Sequence, residues 1–408
     1  MKNKLLLLIF IIAVSCSTKL IESLEPKHSY KVKPNIKQMY CPVDSNFALN
    51  NDNKESQRLF YQFLNKVTKY YKLEFVDKSV LWSLYQMNLR PDIASPYSSA
   101  QFIIKINNKD YYFNSIKKKK DSLPFIHGLD FILKNFQSKY GLNELISLYQ
   151  ENFTKPSIVN ENFAKFLRDN RKDLETNNYY KKAYLRGEEV LKEGEIIPKI
   201  NYKKLYNHYQ KTKLSLGNYK VIDKLYSSKE KGVSCNQKID FQKKTPNILP
   251  KAISSYQYGL SENVNSFIAS TSLAKIRPEN TGDIYFNGTS SFARTSICKF
   301  DKNWILISNS RDTTQHMIHL VEYGILKDKN IEQYKELIDY PRHIFLKNPN
   351  RIIFESTRSH RDQVDALNKL NIPIYSAKEI AHINLLITQK KRPRYILDTR
   401  SKEQISCK

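Results

Sequence analysis

The spacing of apolar positions predicts helices in the first half of the chain. Over residues 54–72, Phe60, Phe63, Leu64 and Val67 recur at the three- and four-residue intervals that place side chains on one helical face. A second helix is predicted to begin at Asp77, a favourable N-cap residue. The same periodicity predicts further helices over about 127–139, 142–152, 160–170 and 201–211.

One β-hairpin interrupts this helical pattern. The runs 101–106 and 110–116 are rich in apolar and aromatic residues, and the polar Asn107-Asn108-Lys109 between them is typical of a hairpin turn. We therefore predict a mostly helical α+β domain over residues 51–225. The polar stretch 226–260, which contains Gly232 and two prolines, is predicted to be a linker.

Short apolar runs alternate with helical patterns after the linker. This alternation predicts an α/β domain with a mixed sheet over residues 261–408, and an α+β class for the whole chain. The predicted strands are Val264–Ile268, Asp283–Phe286, Ala293–Phe300, Trp304–Ser308, Arg351–Glu355 and Ile372–Tyr375. The predicted helices cover about 312–323, 330–338 and 360–370.

The N-terminus has the pattern of an export signal. Lys2 and Lys4 precede an unbroken apolar run over residues 5–14, which is too short to span a bilayer and suits the apolar region of a signal peptide. We predict a signal peptide over residues 1–15 and a polar tether over residues 16–50.

The end of that apolar run resembles the lipobox of bacterial lipoproteins. Ala13-Val14-Ser15-Cys16 places a small residue directly before a cysteine, although the family usually has Leu where Ala13 stands. The resemblance implies lipidation of Cys16, a membrane anchor and a location in the cell envelope, facing the periplasm or the cell surface. An ordinary secretory signal with an incidental cysteine is the alternative.

Four further cysteines are widely spaced: Cys41, Cys235, Cys298 and Cys407. In an exported chain they can form two disulfides with three possible connectivities, and four free buried cysteines are the alternative. No C-x-x-C spacing supports a zinc knuckle or a thioredoxin-like site.

The chain is strongly basic, with 67 Lys and Arg against 40 Asp and Glu and a formal net charge of +27. The one tight basic run is Lys117, Lys118, Lys119 and Lys120. For an anchored protein this charge favours contact with anionic lipid, an envelope polymer or another envelope protein. A nucleic-acid partner is not expected, because the basic residues form no stripe on a recognisable binding module. Solvated surface lysines are the simpler alternative.

Glycine is scarce, and this excludes several enzyme classes. The chain contains 10 glycines, whereas average usage is about 7 %. The glycine-rich motifs of dinucleotide sites, P-loops and nucleophile elbows are all absent from the sequence.

Residues 270–380 resemble the N-terminal half of the metallo-β-lactamase fold. An apolar strand over 351–355 leads into Ser359-His360-Arg361-Asp362, followed by a helical pattern and a second strand. The resemblance implies a zinc site at His360 and Asp362. However, Arg358 and Gln363 replace two histidines of the family motif, so its metal chemistry is not expected to carry over.

Two other groups of residues are weaker indications of a functional site. His316 and His319 are three residues apart on a predicted helix, and His316 is a candidate metal ligand beside His360 and Asp362. Ser272 and Lys275 have the S-x-x-K spacing of some serine nucleophiles, but the same spacing recurs elsewhere in this lysine-rich chain. The sequence therefore predicts an exported, lipid-anchored envelope protein that acts by binding, without a cofactor. The alternative is a hydrolase of metallo-β-lactamase-like fold with a reduced or absent zinc site.

Overall fold

The structure is a computed structural model, and it describes the greater part of the chain. The described residues are 22–23, 39–50, 52, 54–116, 122–176, 178–216, 225–228, 232–241, 255–272, 274–275, 287–288, 295–310, 312–355, 358 and 361–408.

The described strands are numbered in chain order. They are β1 (Glu22–Ser23), β2 (Phe47–Asn50), β3 (Ala100–Ile106), β4 (Lys109–Ser115), β5 (Leu185–Arg186), β6 (Glu189–Val190), β7 (Tyr226–Ser228), β8 (Val233–Cys235), β9 (Ser255–Glu262), β10 (Asn265–Ser272), β11 (Ala274–Lys275), β12 (Asn287–Gly288), β13 (Ser296–Phe300), β14 (Asn303–Ser308), β15 (His343–Leu346), β16 (Arg351–Glu355), β17 (Ile374–Ala377), β18 (His382–Gln389), β19 (Arg392–Ile396) and β20 (Gln404–Cys407).

The described helices are numbered in the same way. They are α1 (Lys54–Val67), α2 (Phe75–Leu89), α3 (Pro124–Asn135), α4 (Leu142–Asn152), α5 (Glu161–Asp169), α6 (Arg171–Glu175), α7 (Asn178–Tyr184), α8 (Tyr202–Leu216), α9 (Thr313–Glu322), α10 (Ile331–Asp339) and α11 (Arg361–Asn368). Among the described residues, no helix combines the length and apolar character that crossing a bilayer requires.

Two antiparallel sheets of six strands form the body of the protein. The first sheet has the order β20-β2-β9-β10-β3-β4, and the second has the order β19-β18-β14-β13-β8-β7. In the first sheet, the strands nearest the two ends of the chain, β2 and β20, pair with each other and β2 also pairs with β9. Strands of both halves of the chain therefore share one sheet.

The two sheets pack face to face, and each carries helices on its outer face. Successive side chains of a strand point to opposite faces. In β3, Ile103 enters the core between the sheets, whereas Phe102 and Ile104 pack towards the helices. In β14, Trp304 and Leu306 enter the same central core. The result is four layers in the order helices, sheet, sheet, helices.

Different helices cover the two outer faces. Apolar side chains of α1, α2, α3, α4 and α8 pack with the first sheet into one large core. On the second sheet, Met317 and Leu320 of α9 and Tyr334 and Ile338 of α10 pack into another core. Both faces of each sheet are buried, so polar side chains of the central strands, such as Gln257 and Asn384, form hydrogen bonds inside the sandwich.

Two smaller units adjoin this sandwich. Residues 159–197, with α5, α6, α7 and the two-stranded β5-β6 sheet, enclose a core of their own around Phe163, Tyr180 and Leu191. A third sheet has the order β1-β17-β16-β15, in which β16 and β17 run parallel. Helix α11 packs on it through Val364.

Each of the two large sheets carries one disulfide. The structure pairs Cys41 with Cys407 and Cys235 with Cys298, one of the three connectivities that the sequence leaves open. Cys235 and Cys298 are direct cross-strand partners of β8 and β13. Cys407 lies in β20, so its bond to Cys41 joins the two ends of the folded chain.

A buried ion network joins the second sheet to the third. Asp398 bonds Arg342 at 2.7 Å and Arg400 at 3.1 Å, and Arg400 makes two bonds of 2.6 Å to Glu355. Burial alone would raise the pKa of Asp398, but the adjacent arginines Arg342 and Arg400 hold that pKa well below its usual value. The Asp398 carboxylate therefore stays charged.

The α+β class predicted from the sequence is confirmed. The predicted linker, however, contains strands β7 and β8 and nearly all of the central strand β9. Of the other predicted elements, Arg351–Glu355 forms a strand with those same bounds, the helix predicted over 54–72 ends at Val67, and the strand predicted at Asp283–Phe286 lies outside the described residues.

We predict that Glu355→Gln lowers the free energy of unfolding by about 3–5 kcal/mol, because it leaves Asp398 as the one buried carboxylate beside the two buried arginines Arg342 and Arg400. Urea unfolding at neutral pH measures this. The matched control is Glu55→Gln, which breaks an exposed pair with Arg58 and should leave the unfolding midpoint nearly unchanged. Equal effects of the two substitutions would contradict a stabilising role for the network.

Candidate functional site: a buried hydroxyl cluster

Hydroxyl side chains gather at one end of the first sheet. Ser255 is the first residue of β9, and its cross-strand partner Ser272 is the last residue of β10. Ser270 lies two residues before Ser272 and, with Thr295 of the chain before β13, completes a group of four. Each of the four residues is 1 % exposed. We call Ser255, Ser270, Ser272 and Thr295 the hydroxyl cluster.

Thr295 connects the hydroxyls of the two sheets. Its Oγ1 lies 2.5 Å from Ser255 Oγ and also bonds Ser270 Oγ. The next residue, Ser296, donates to Thr313 Oγ1 at 3.1 Å, and Thr313 is the first residue of α9. The successive residues Thr295 and Ser296 therefore make hydroxyl hydrogen bonds to the first sheet and to a helix on the second, respectively.

Some polar atoms in and beside the cluster have no hydrogen-bond partner among the described residues. These atoms are Ser272 Oγ, Ser98 Oγ, Ser308 Oγ and Ser310 Oγ. A buried hydroxyl without a partner is costly unless water or a ligand satisfies it. Ser272 belongs to the cluster, so the cluster holds an unused donor and acceptor at a buried position.

The loop between α2 and β3 closes the same end of the first sheet. Thr271 donates its hydroxyl to the carbonyl of Ile93, and Ser272 N donates to Ser99 O at 3.2 Å. Within the loop, the buried guanidinium of Arg90 makes two hydrogen bonds to Asp92, at 2.8 and 2.7 Å. This ion pair is nearly inaccessible to water, with 2 % of each side chain exposed.

The start of β9 is anchored two residues beyond Ser255. Gln257 Oε1 accepts from Asn384 Nδ2 at 2.9 Å and from the hydroxyl of Tyr395, both of which lie on the second sheet. Asn384 Oδ1 in turn accepts from the amide of Asp398 at 2.7 Å. The strand that begins at Ser255 is thereby tied across the sandwich to the buried ion network, which limits the movement of the Ser255 hydroxyl.

Of the two histidines in the predicted zinc site, the structure describes His316. His316 is fully buried in α9, and its Nε2 has no partner among the described residues. Burial, together with the adjacent Arg342, holds the pKa of His316 well below its usual value, and burial with the adjacent His319 lowers the pKa of His343 to about 4. Among the described residues, no three His, Cys, Asp or Glu side chains are placed to share a metal ion.

Several other predicted site residues fall outside the described part of the chain. Cys16, His360 and the run 117–120 lie there, so lipidation, anion contact and that part of the zinc hypothesis stay predictions. Asp362 lies within α11, and its side chain is not described. Arg358, which replaces a family histidine, bonds Asp339 at 2.7 Å and thus serves as an ion-pair partner.

The sequence analysis missed the hydroxyl cluster, apart from Ser272. The run Ser270-Thr271-Ser272 at the end of β10 was the available signal, because buried hydroxyls need hydrogen-bond partners. Ser255 and Thr295 gave no comparable signal. They join the cluster through pairing between segments far apart in the sequence.

Comparison with solved structures identifies the fold. No family model matches the sequence, and no curated protein matches it. The structure is similar to that of a cephalosporin acylase from Bacillus halodurans, with a TM-score of 0.60 and 9 % identity over 94 % of this chain and 99 % of that chain. It is also similar to LmbA2991HD, with a TM-score of 0.58 and 8 % identity over 93 % of this chain and 100 % of that chain.

These similarities correct the functional prediction made from the sequence. Almost the whole chain follows the fold of an acylase, with two packed antiparallel sheets, so the alternative of a metallo-β-lactamase-like hydrolase is wrong. The preferred hypothesis of a protein that acts by binding is also wrong. That hypothesis rested on the absence of a recognisable catalytic motif, and a nucleophile brought together by strand pairing leaves no such motif in the sequence.

Proposed function

We propose that this protein is a hydrolase that cleaves amide-linked acyl groups, with Ser255 as its nucleophile. The hydrogen-bonded hydroxyl of Ser255 at the start of the central strand β9 is the observation that carries the proposal. The likeness in fold to a cephalosporin acylase supports the reaction class. Its low identity leaves the acyl group open.

The surroundings of Ser255 suit a nucleophile. The backbone of the neighbouring strand helps to fix the position of the hydroxyl, because β9 pairs with β10 along its whole length. Thr295 Oγ1, at 2.5 Å, can donate a hydrogen bond to an oxygen that becomes negative during attack, or accept a hydrogen bond from the Ser255 hydroxyl. Ser272 supplies a further hydroxyl that no described residue satisfies.

A serine nucleophile also needs a base. Among the described residues, the hydrogen-bond partner of Ser255 is a hydroxyl, and a hydroxyl is too weakly basic at neutral pH to take its proton. Amine activation is an established solution in which a hydroxyl nucleophile uses the N-terminal amine of its own residue. We propose that hydrolysis of the peptide bond before Ser255 frees this amine. Water adds its hydroxyl to the carbonyl carbon of that bond and a proton to the Ser255 nitrogen.

Purified protein is therefore predicted to consist of two fragments, the second beginning at Ser255. Both disulfides, Cys41–Cys407 and Cys235–Cys298, span the cleaved bond. The fragments should remain together on a non-reducing gel and separate after reduction, and N-terminal sequencing should identify Ser255 as the new terminus. A single intact chain that is fully active would rule out the amine as the base.

The Ser255→Ala substitution is predicted to lower kcat at least about 100-fold, since it removes the attacking oxygen. The assay is release of p-nitroaniline from a panel of acyl-p-nitroanilides with acidic and apolar acyl groups. The matched control is Ser266→Ala, which removes a buried hydroxyl near the opposite end of the same pair of strands. Unlike the Ser255 hydroxyl, that hydroxyl has no hydrogen-bond partner among the described residues.

The two substitutions separate catalysis from folding. Both remove one buried hydroxyl from the first sheet, so similar circular dichroism is expected, with a thermal midpoint lower in Ser255→Ala because that variant loses a hydrogen bond. Retained activity in Ser255→Ala, or equal losses in the two variants, would contradict Ser255 as the nucleophile. A wild-type protein that cleaves no member of the panel, even after chain cleavage, would contradict the proposed reaction class.

A further inference from the structure

We propose that a cleft whose lining residues lie between 88 and 202, and which does not include Ser255, binds a small organic anion with an apolar body. The cleft lies between the helical layer of the first sheet and the small unit of residues 159–197, and its volume is about 770 Å³. Pockets that bury small molecules usually fall between about 300 and 1,000 Å³. The cleft is thus large enough for one such ligand.

Apolar and aromatic side chains form much of the lining. Tyr149 and Phe153 come from α4 and the residue that follows it, and Tyr202 is the first residue of α8. Tyr179 of α7 and Ile197 line the cleft from the small unit. Aromatic and aliphatic surface of this kind favours an apolar ligand body.

The charged side chains that line the cleft are all positive. They are Lys155, Lys182, Arg186 and Lys199, and the described lining contains no carboxylate. All four residues are exposed, so their charges lie at the rim. Four cations beside an apolar lining attract an anion and disfavour a cation.

Two acidic residues near the rim cations already have partners. Glu55 interacts with Lys155 but forms its ion pair with Arg58. Glu189 lies opposite Arg186 in the β5-β6 pair and forms its ion pair with Lys192. The rim of the cleft therefore keeps an excess of positive charge.

One buried polar group is left for the ligand to satisfy. Tyr149 is 2 % exposed and lines the cleft, and its hydroxyl has no hydrogen-bond partner among the described residues. Burial keeps the pKa of Tyr149 well above its ordinary value, so the hydroxyl is a donor at neutral pH. Tyr149 therefore gives the wall of the cleft a buried donor that no described residue uses.

Hydrogen bonds of Asn88 hold one side of the cleft in place. Asn88 donates to Ser157 Oγ, and the amide of Ile200 donates to Asn88 Oδ1 at 3.4 Å. These bonds join α2 to both ends of the small unit. Asn88 lies only two residues before Arg90, where the loop that closes the hydroxyl cluster begins. A ligand in the cleft therefore contacts the end of α2 that leads into this loop.

The test is a fluorescence titration of the full chain with 1-anilinonaphthalene-8-sulfonate. This aromatic anion fluoresces more strongly when it binds in apolar surroundings. We expect one site per chain. The double substitution Lys182→Glu with Arg186→Glu should raise the Kd at least about tenfold, because it reverses two of the four rim charges. Lys347→Glu, an exposed lysine outside the cleft, is the matched control and should leave the Kd unchanged.

Displacement distinguishes an anion site from a merely apolar groove. Decanoate should compete with the bound probe, whereas the uncharged decan-1-ol should compete at least about tenfold more weakly. Circular dichroism checks that the variants keep their fold, since both altered side chains are exposed. A second variant, Tyr179→Ala, removes part of the aromatic lining and should weaken the probe and decanoate alike.

Several outcomes would overturn the proposal. Equal Kd values in the wild type and the double variant would show that the probe binds elsewhere. Equal displacement by decanoate and decan-1-ol would show that charge plays no part. If the double substitution changed only the oligomeric state, or only the sedimentation of the protein with phosphatidylglycerol vesicles, the cleft would be a subunit interface or a membrane-contact surface.

Discussion

The face-to-face packing of two six-stranded sheets is the constraint on which the rest of this structure depends. It brings together side chains such as Ile103, Ile268 and Trp304 in a core that contains no helix. It also sets Thr295, which precedes β13 of the second sheet, against Ser255 and Ser270 of the first. The hydroxyl cluster exists only while the two sheets keep their relative position. The bonds from Asn384 and Tyr395 to Gln257 hold that position close to Ser255.

Much of the secondary structure could be predicted from the sequence, whereas the arrangement of the strands could not. Helix α1 and the β3-β4 hairpin depend on local periodicity and a local turn, so their positions were nearly correct. Strand β9 was assigned to a linker because its residues Ser255, Gln257 and Gly259 interrupt any apolar run. Gly259 is required there, since a Cβ at that position would meet the backbone oxygen of Phe267 at 2.2 Å. This constraint comes from the neighbouring strand and leaves no pattern in the sequence around Gly259.

The candidate site was harder to predict for the same reason. A metal or phosphate site has characteristic spacing, but a cluster of hydroxyls is built by pairing segments that are distant in sequence. Ser255 and Thr295 are 40 residues apart, yet their hydroxyls are hydrogen-bonded. His316, the described histidine of the predicted zinc site, is buried and has a pKa well below its usual value. The scarcity of glycine excluded the glycine-rich motifs of dinucleotide sites, P-loops and nucleophile elbows. It did not argue against a nucleophile at the start of a strand.

The most direct test of Ser255 as the nucleophile is to trap the acyl-enzyme. Protein is mixed with the best acyl-p-nitroanilide, quenched in acid during turnover, and examined by intact mass spectrometry and peptide mapping. An ester intermediate on a serine is the expected product of covalent catalysis. The account predicts one added acyl group per chain, located on the peptide that begins at Ser255 and absent from the Ser255→Ala variant. An acyl group on another residue, or turnover without any acylated chain, would contradict it.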